Sequence, residues 1–427
     1  MAVIILILFL LVILIGVPIA YSMGSVTIFA FFMTGNSNII IPQKMFSGID
    51  NFTYLCIPLF ILASEIMSNC GLTRDIVNFC DALVGRIRGG LAQVNVLDSM
   101  IFAGISGSAT ADATGIGKLE IDMMVEGGYD KVYAASLSAA SAIIGPIIPP
   151  SNIMIIYAVC AGNVSVSAMF LGGVFPGILL GLVEMALCYY FAVKYHHPHR
   201  EYKLTIRQKL HAFKNAAPAL GLPLIILGGI ISGIFTATEA SAIAVFYALL
   251  IAIIRKRITF KSLYHCCIST GKTTANVLLI IGIASAMSYA ITVLRIPQDI
   301  VGFVVQYIDN KYMFLLFVNI FLLILGCILD QAPALLLIVP ILLPIAMRFG
   351  INPVHFGIIC CFNLTIGLIT PPVGMTLFVT ANVAKVKLTD MYRGILPFAA
   401  LGIIMTFVIT YIPVITTFIP RLFGYIK

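Results

Sequence analysis

The same interruption of an apolar helix is written twice in this chain. Gly145-Pro146-Ile147-Ile148-Pro149-Pro150 and Gly367-Leu368-Ile369-Thr370-Pro371-Pro372 stand 222 positions apart. Glycine and paired prolines inside a long apolar run open the helical hydrogen-bond ladder. In hydrocarbon the freed carbonyls and amides meet no water, so they must face protein, a water-filled cavity, an ion or a bound molecule. Composition supplies the hydrocarbon: of 427 residues, 61% are hydrophobic and 10% charged, with a mean hydropathy of +1.09. An ordinary soluble domain is far more polar. The chain reads as an all-α polytopic membrane protein made of two related halves, each with one unwound transmembrane helix.

A net charge of +8 would suggest nucleic acid in a soluble protein. Here the basic residues cluster at the ends of apolar runs, where orientation signals sit. The connection 194–215 carries Lys194, Arg200, Lys203, Arg207, Lys209 and Lys214 against Glu201, and Arg255, Lys256, Arg257 and Lys261 form a second cluster. Both are expected on the cytoplasmic side, which puts two crossings between them. The runs 2–33 and 216–254 exceed the roughly 20 residues of one crossing, and breaks are expected at Gly16-Val17-Pro18 and Ser232-Gly233. If the first half crosses an odd number of times, the second half is inverted, as in many secondary transporters. The first apolar run has no Lys or Arg before it and no small-residue cleavage site, so it is expected to stay as membrane helix. Ten cysteines without metal-ligand spacing read as packing residues.

The 222-residue offset also places Gly104 on Gly326, Gly128 on Gly350 and Val132 on Val354. It predicts two structural repeats, 1–205 and 206–427. Each would hold a re-entrant hairpin, at 90–126 and 312–348, followed by a broken helix, at 131–161 and 353–384. In the first hairpin, arms too short to span comfortably flank Ser106-Gly107-Ser108-Ala109-Thr110-Ala111-Asp112; in the second they flank Cys327-Ile328-Leu329-Asp330-Gln331-Ala332-Pro333. Asp330 falls on Ser108.

Hydroxyls, carbonyls and a few carboxylates are hard oxygen donors suited to alkali cations, and the ends of broken helices add matching partial charge. Two symmetry-related Na+ sites are therefore expected. One joins Ser106 and Ser108 to carbonyls near Gly145 and Ile148; the other joins Gly326 and Asp330 to Asn363, Gly367 and Thr370. The competing reading of any single Ser or Gly is that it lets helices pack closely. Isolated charges in apolar segments are costly and usually paired or functional, which singles out Asp112, Asp330, Glu65, Glu239 and Arg295. Arg295 either receives a substrate carboxylate in bidentate fashion or snorkels to the interface. Glu239 reads as a helix cap. Gly271-Lys272-Thr273 lacks the first glycine of a P-loop, and no HExxH or GxSxG motif is present, so no enzyme and no ATPase is expected. His196, His197 and His199 read as a solvated connection.

Four segments together resemble the large membrane subunit of tripartite ATP-independent periplasmic (TRAP) transporters, over essentially the full length. They are Phe102-Ala103-Gly104-Ile105-Ser106-Gly107-Ser108, Gly145 to Ser151, Gly233-Ile234-Phe235-Thr236-Ala237-Thr238-Glu239, and Gly367 to Gly374. The resemblance implies an elevator-type transporter of the ion-transporter superfamily in the bacterial inner membrane. It implies two partners, a separate small four-helix membrane subunit and a periplasmic substrate-binding protein. The cargo would be an organic acid such as a C4-dicarboxylate, sialic acid or another sugar acid, driven by a sodium gradient, with Na+ as coupling ion and no other cofactor. Hairpin tips and unwound helices would form the transport domain and the outer helices the scaffold, interleaved across both repeats. Substrate would lie between the tips near Ser108, Asp112, Asn152 and Asp330, with Arg295. The alternatives are a stand-alone sodium-coupled carboxylate symporter, a passive channel and a noncatalytic membrane subunit.

Overall fold

In the computed structural model, which describes residues 8–9, 11–12, 15–162, 164–200, 202–294, 302, 308 and 310–426, regular structure is helical, with no strand among the described residues. The chain opens with α1 (Ile19–Thr34) and α2 (Ile40–Ile49). A 3-10 turn, Phe52–Leu55, runs into α3 (Cys56–Asn69), and α4 (Leu72–Val84) follows. The first hairpin is α5 (Gly90–Ser106), then α6 (Ala109–Thr114) and α7 (Ile116–Glu126). The first broken helix is α8 (Lys131–Ala142) with α9 (Asn152–Ala161), and the long α10 (Val166–Lys194) follows it. Three helices then lead onward, α11 (Ile206–Ile231), α12 (Ala237–Ile254) and α13 (Phe260–Val293). The second hairpin is α14 (Lys311–Ile328) and α15 (Gln331–Arg348), and the second broken helix is α16 (Pro353–Gly367) with α17 (Met375–Ala384). The chain closes with α18 (Leu388–Tyr411) and α19 (Val414–Leu422). Hairpin, broken helix and long helix thus occur in the same order twice.

Eight helices among the described residues are long and apolar enough to cross a membrane. The interruptions expected in the long runs are present: Gly16 has φ +93° and Pro18 precedes α1, while α11 ends before Gly233 at φ +70°. Helices α11 and α12 run out and back, so the basic clusters before and after them return to one end. There they meet the acids of α4, where Arg200 pairs with Asp81, and Asp75 receives Arg255 at 2.5 Å and Arg257 at 3.2 Å. Helix α4 buries Leu72, Ile76, Val77 and Cys80, one stripe at helical spacing, which leaves its acids free for those arginines.

The hairpin turns are shorter than the sequence suggests. Gly107 adopts φ +62°, and a Cβ there would lie 2.3 Å from the Pro150 carbonyl oxygen. Only glycine satisfies both the left-handed backbone and the close approach. Ser108 then N-caps α6 through the Ala111 amide at 3.4 Å, so Thr110 and Asp112 are helical residues. In the second hairpin Asp330 is the N-cap residue of α15, and Pro333 sits in the first turn, where a missing N–H costs nothing. The arms gain length accordingly. Those of the second hairpin are 18 residues each, about 27 Å at the helical rise.

Each hairpin tip packs on the break of its own half. Gly107 lies on Pro150 and Ser151, and a Cβ on Gly367 would meet the Gly326 backbone at 2.5 Å. The two halves also interlock: α17 packs on α6 and α8 of the first half, and α9 packs on α15 of the second. Outside this inner unit, α3 packs on α12 and α13, α4 on α11, and α1 and α2 on α13. The two sets meet mainly where α4 lies on α5 and α13 lies on α15.

Candidate functional site

A cavity of about 310 Å³ lies between the two hairpin tips and the outer helices. From the first tip it is lined by Ser106, Ser108 and Thr110, and from the second by Asp330 and Gln331. Asn152 enters from the start of α9 and Leu368 from the second break. The outer wall is α3, with Ser64 and Glu65, and α13, with Thr273 and Asn276. Two backbone interruptions and two tips therefore converge on one cavity, where these polar groups stand among apolar ones such as Ile61, Ile153 and Val277. Among the described lining residues the charged ones are Glu65 and Asp330, and no Lys, Arg or His is among them.

Local structure accounts for each position. The Ser151 hydroxyl accepts from the Met154 amide at 3.4 Å and donates to the Pro146 carbonyl at 2.5 Å. It closes the first break and starts α9, so Asn152 stands at a helix N-terminus facing the cavity. In the second break Gly374, at φ +56°, donates its amide to the Cys327 carbonyl at 3.3 Å, and Thr370 Oγ1 donates to the Ile366 carbonyl at 2.8 Å. Gln331 Nε2 donates to Thr365 Oγ1 at 2.8 Å, which ties the second tip to α16. Asp330 makes no side-chain capping bond, so its carboxylate remains available to the cavity.

Of the residues expected at the substrate, the cavity gathers Ser108, Asn152 and Asp330. Asp112 does not line it. Asp112 is 3% exposed and accepts a hydrogen bond from Ser106 Oγ, and its Oδ2 lies 2.3 Å from where a Gly145 Cβ would be. It sits with the Ser106 and Gly145 pair expected to hold a cation. Ile148 belongs to the same break, with its side chain packed towards Gly177. Arg295 lies outside the described residues. In the second cluster, Gly326 and Gly367 are in backbone contact, and Asn363 donates to Asn319 Oδ1 at 2.9 Å and to the Ile359 carbonyl at 2.8 Å.

The hard-oxygen chemistry of an alkali cation fits both clusters. Each contains one buried side-chain oxygen without a hydrogen-bond partner among the described residues, Asp112 Oδ2 in the first and Asn363 Oδ1 in the second. Buried polar atoms are normally satisfied. No group of three His, Cys, Asp or Glu able to hold a metal occurs among the described residues. His197 instead packs on Tyr129 and Tyr133, with ring centroids 4.9 and 4.7 Å away, and burial there lowers its pKa. Glu239 accepts from the Thr236 amide at 2.8 Å in a capping box.

The outer wall is the part that sequence reading missed. Glu65 stands out as a charge in an apolar helix, but Ser64, Thr273 and Asn276 do not. The available signal is spacing: Ser269, Thr273 and Asn276 share one face of α13, and Ser269 Oγ donates to Glu65 Oε1 at 2.8 Å.

Residues 6–415 match the family described as tripartite ATP-independent periplasmic transporter, DctM component. The chain belongs to this DctM family of TRAP transporters. It is 38% identical over 417 residues to the sialic acid TRAP transporter large permease protein SiaM of Vibrio cholerae, covering 96% of each chain. It is 38% identical over 402 residues to the C4-dicarboxylate TRAP transporter large permease protein DctM of Pseudomonas aeruginosa, covering 94% of this chain and 93% of that one. Its fold is similar to the crystal structure of the YdaH transporter of Alcanivorax borkumensis, with a TM-score of 0.62 at 12% identity over 86% of this chain and 88% of that one. As a TRAP large permease, the protein is a multi-pass membrane protein of the bacterial inner membrane.

Proposed function

We propose that this TRAP permease imports an organic acid by sodium-coupled secondary active transport, with the cavity between the hairpin tips as its binding site. The observation that carries the reading is the charge balance of that cavity. An acid must share it with Glu65 and Asp330, and no basic side chain is among the described lining residues. Three negative groups in one partly open cavity repel one another. Cations bound at the adjoining clusters offset that repulsion, so acid and cation each bind better when the other is present. By linkage the effect is reciprocal. Sialic acid and a C4-dicarboxylate, the cargoes named for the two relatives, are both acids of this kind.

The first Na+ would be held by Ser106, Ser108 and carbonyls at Gly145 and Ile148, with Asp112 supplying the charge beside it. The second would be held by Gly326, Asp330, Asn363, Gly367 and Thr370. The acid would lie against Ser108, Asn152 and Asp330; Arg295 is assigned from sequence alone. The interlocked hairpins and broken helices form the unit that moves, and the outer helices form the scaffold, in an elevator-type cycle over inverted repeats 1–205 and 206–427. That the cavity is bounded by both sets supports this division, since relative motion would open it to one side or the other. A small membrane subunit and a periplasmic substrate-binding protein complete the tripartite system to which the family name refers.

The test is organic-acid uptake into proteoliposomes carrying the permease and its small subunit, with and without the binding protein, under an inward sodium gradient. Uptake that needs both sodium and the binding protein is the expected result. Sodium-dependent uptake without the binding protein makes the chain a stand-alone symporter, and flux linear in substrate and indifferent to sodium makes it a channel.

A further inference from the structure

Glu65 is the acid of the cavity that the repeat does not explain. The equivalent position 222 residues on is Met287, an apolar residue. Glu65 comes from the outer helix α3 and faces the cavity opposite the tips. Its Oε1 accepts one hydrogen bond from Ser269 at 2.8 Å, and Asn69 approaches Oε2 at 3.4 Å. An ionised carboxylate has room for several donors and can donate none. Its neighbours on the wall, Thr273 and Asn276, add hydroxyl and amide groups that donate and accept.

We propose that Glu65 reads hydroxyl groups on the cargo, and that the cargo is a polyhydroxylated monocarboxylate. The inference rests on the sodium-coupled reading, because bound cations are what let the one carboxylate settle at the hairpin tips. Its far end then meets Glu65, Thr273 and Asn276. A hydroxyl there donates to the Glu65 carboxylate in a charge-assisted bond, roughly twice as strong as a neutral one. A second carboxylate there meets the like charge of Glu65, so a C4-dicarboxylate is disfavoured. A cavity of about 310 Å³ lies at the small end of small-molecule sites, which run from roughly 300 to 1,000 Å³, and suits a single sugar acid.

Binding to the permease itself separates this selectivity from that of any partner that delivers cargo. The chain, purified with any membrane subunit that remains bound and placed in lipid nanodiscs, is titrated with radiolabelled N-acetylneuraminate, D-gluconate and succinate in NaCl and in choline chloride. The expected result is saturable binding of at least one hydroxylated acid at least about tenfold tighter than succinate, with Glu65→Gln reducing that ratio about tenfold. Asn276→Ala reduces it in the same direction and guards against misfolding of the first variant. Succinate binding as tightly as the hydroxylated acids, neither hydroxylated acid binding, or an unchanged ratio in both well-folded variants overturns the proposal. Equal binding in sodium and choline would overturn the sodium-coupled reading and with it the placing of the cargo carboxylate at the tips, an outcome told apart from failure of the Glu65 assignment by the ratio in the two variants.

Discussion

The two hairpins hold equivalent places in their halves, yet they carry acid in opposite ways. In the first the turn is Gly107-Ser108, and the acids Asp98, Asp112 and Glu120 are buried behind it. In the second the turn itself carries Asp330, and the positions matching those three acids are Ile320, Ala334 and Leu342. One tip therefore shows the cavity hydroxyls with charge behind them, and the other shows it charge directly. The two halves share a backbone geometry, the tip lying on the break, while placement of charge differs between them.

That contrast can be broken by substitution. Asp330→Asn should have the largest effect, because it removes the only charge a tip presents to the cavity. A charge-assisted contact contributes about 1.5–3 kcal/mol, so sodium-driven uptake should fall on the order of 10- to 100-fold. Asp112→Asn keeps an acceptor for Ser106 Oγ and loses only charge. It should raise the sodium concentration for half-maximal uptake by about tenfold, the equivalent of about 1.4 kcal/mol, with little change in acid affinity at saturating sodium. Equal effects of the two variants would erase the distinction between hidden and displayed acid.

The two breaks also differ in what crowds their glycines. An added methyl at Gly367 meets the Gly326 backbone at 2.5 Å, whereas one at Gly145 meets the Asp112 carboxylate at 2.3 Å. Backbone cannot move aside as a side chain can, so Gly367→Ala should lower thermal stability by about 1–3 kcal/mol. Gly145→Ala should act mainly on sodium dependence. Thermal unfolding of both variants, read beside their sodium titrations, checks the difference. Gln331→Leu removes the 2.8 Å bond to Thr365 Oγ1 and should cost about 1 kcal/mol. Arg257→Ala should cost least, about 0.5 kcal/mol or less, because its pair with Asp75 is half exposed and Arg255 remains on the same carboxylate.

Much of the fold was legible because its signals are local. Gly-Pro punctuation marks a break wherever the chain then goes, and the 222-residue offset paired each break with a hairpin before any contact was known. The turn positions were less legible. Ser108 caps α6 and draws Thr110 and Asp112 into helix, a choice that depends on Gly107 fitting against Pro150. That contact is tertiary. The same holds for Asp112: its sequence places it near the tip, but only the packing of α6 against the first break turns it towards Gly145 and away from the cavity. Asn276 and Thr273 sit in an apolar helix as ordinary polar residues until α3 and the hairpin tips arrive opposite them. Glu65 was visible as an isolated charge, and its partner Ser269 was not.

The most direct test of the account measures labelled acid and 22Na+ entry together in the same proteoliposomes, for the native chain and for Asp330→Asn. The account predicts that the acid enters with sodium in a fixed ratio and that both fluxes fall together in the variant. Acid entry that continues while sodium entry is lost, or that never carries sodium, would contradict it.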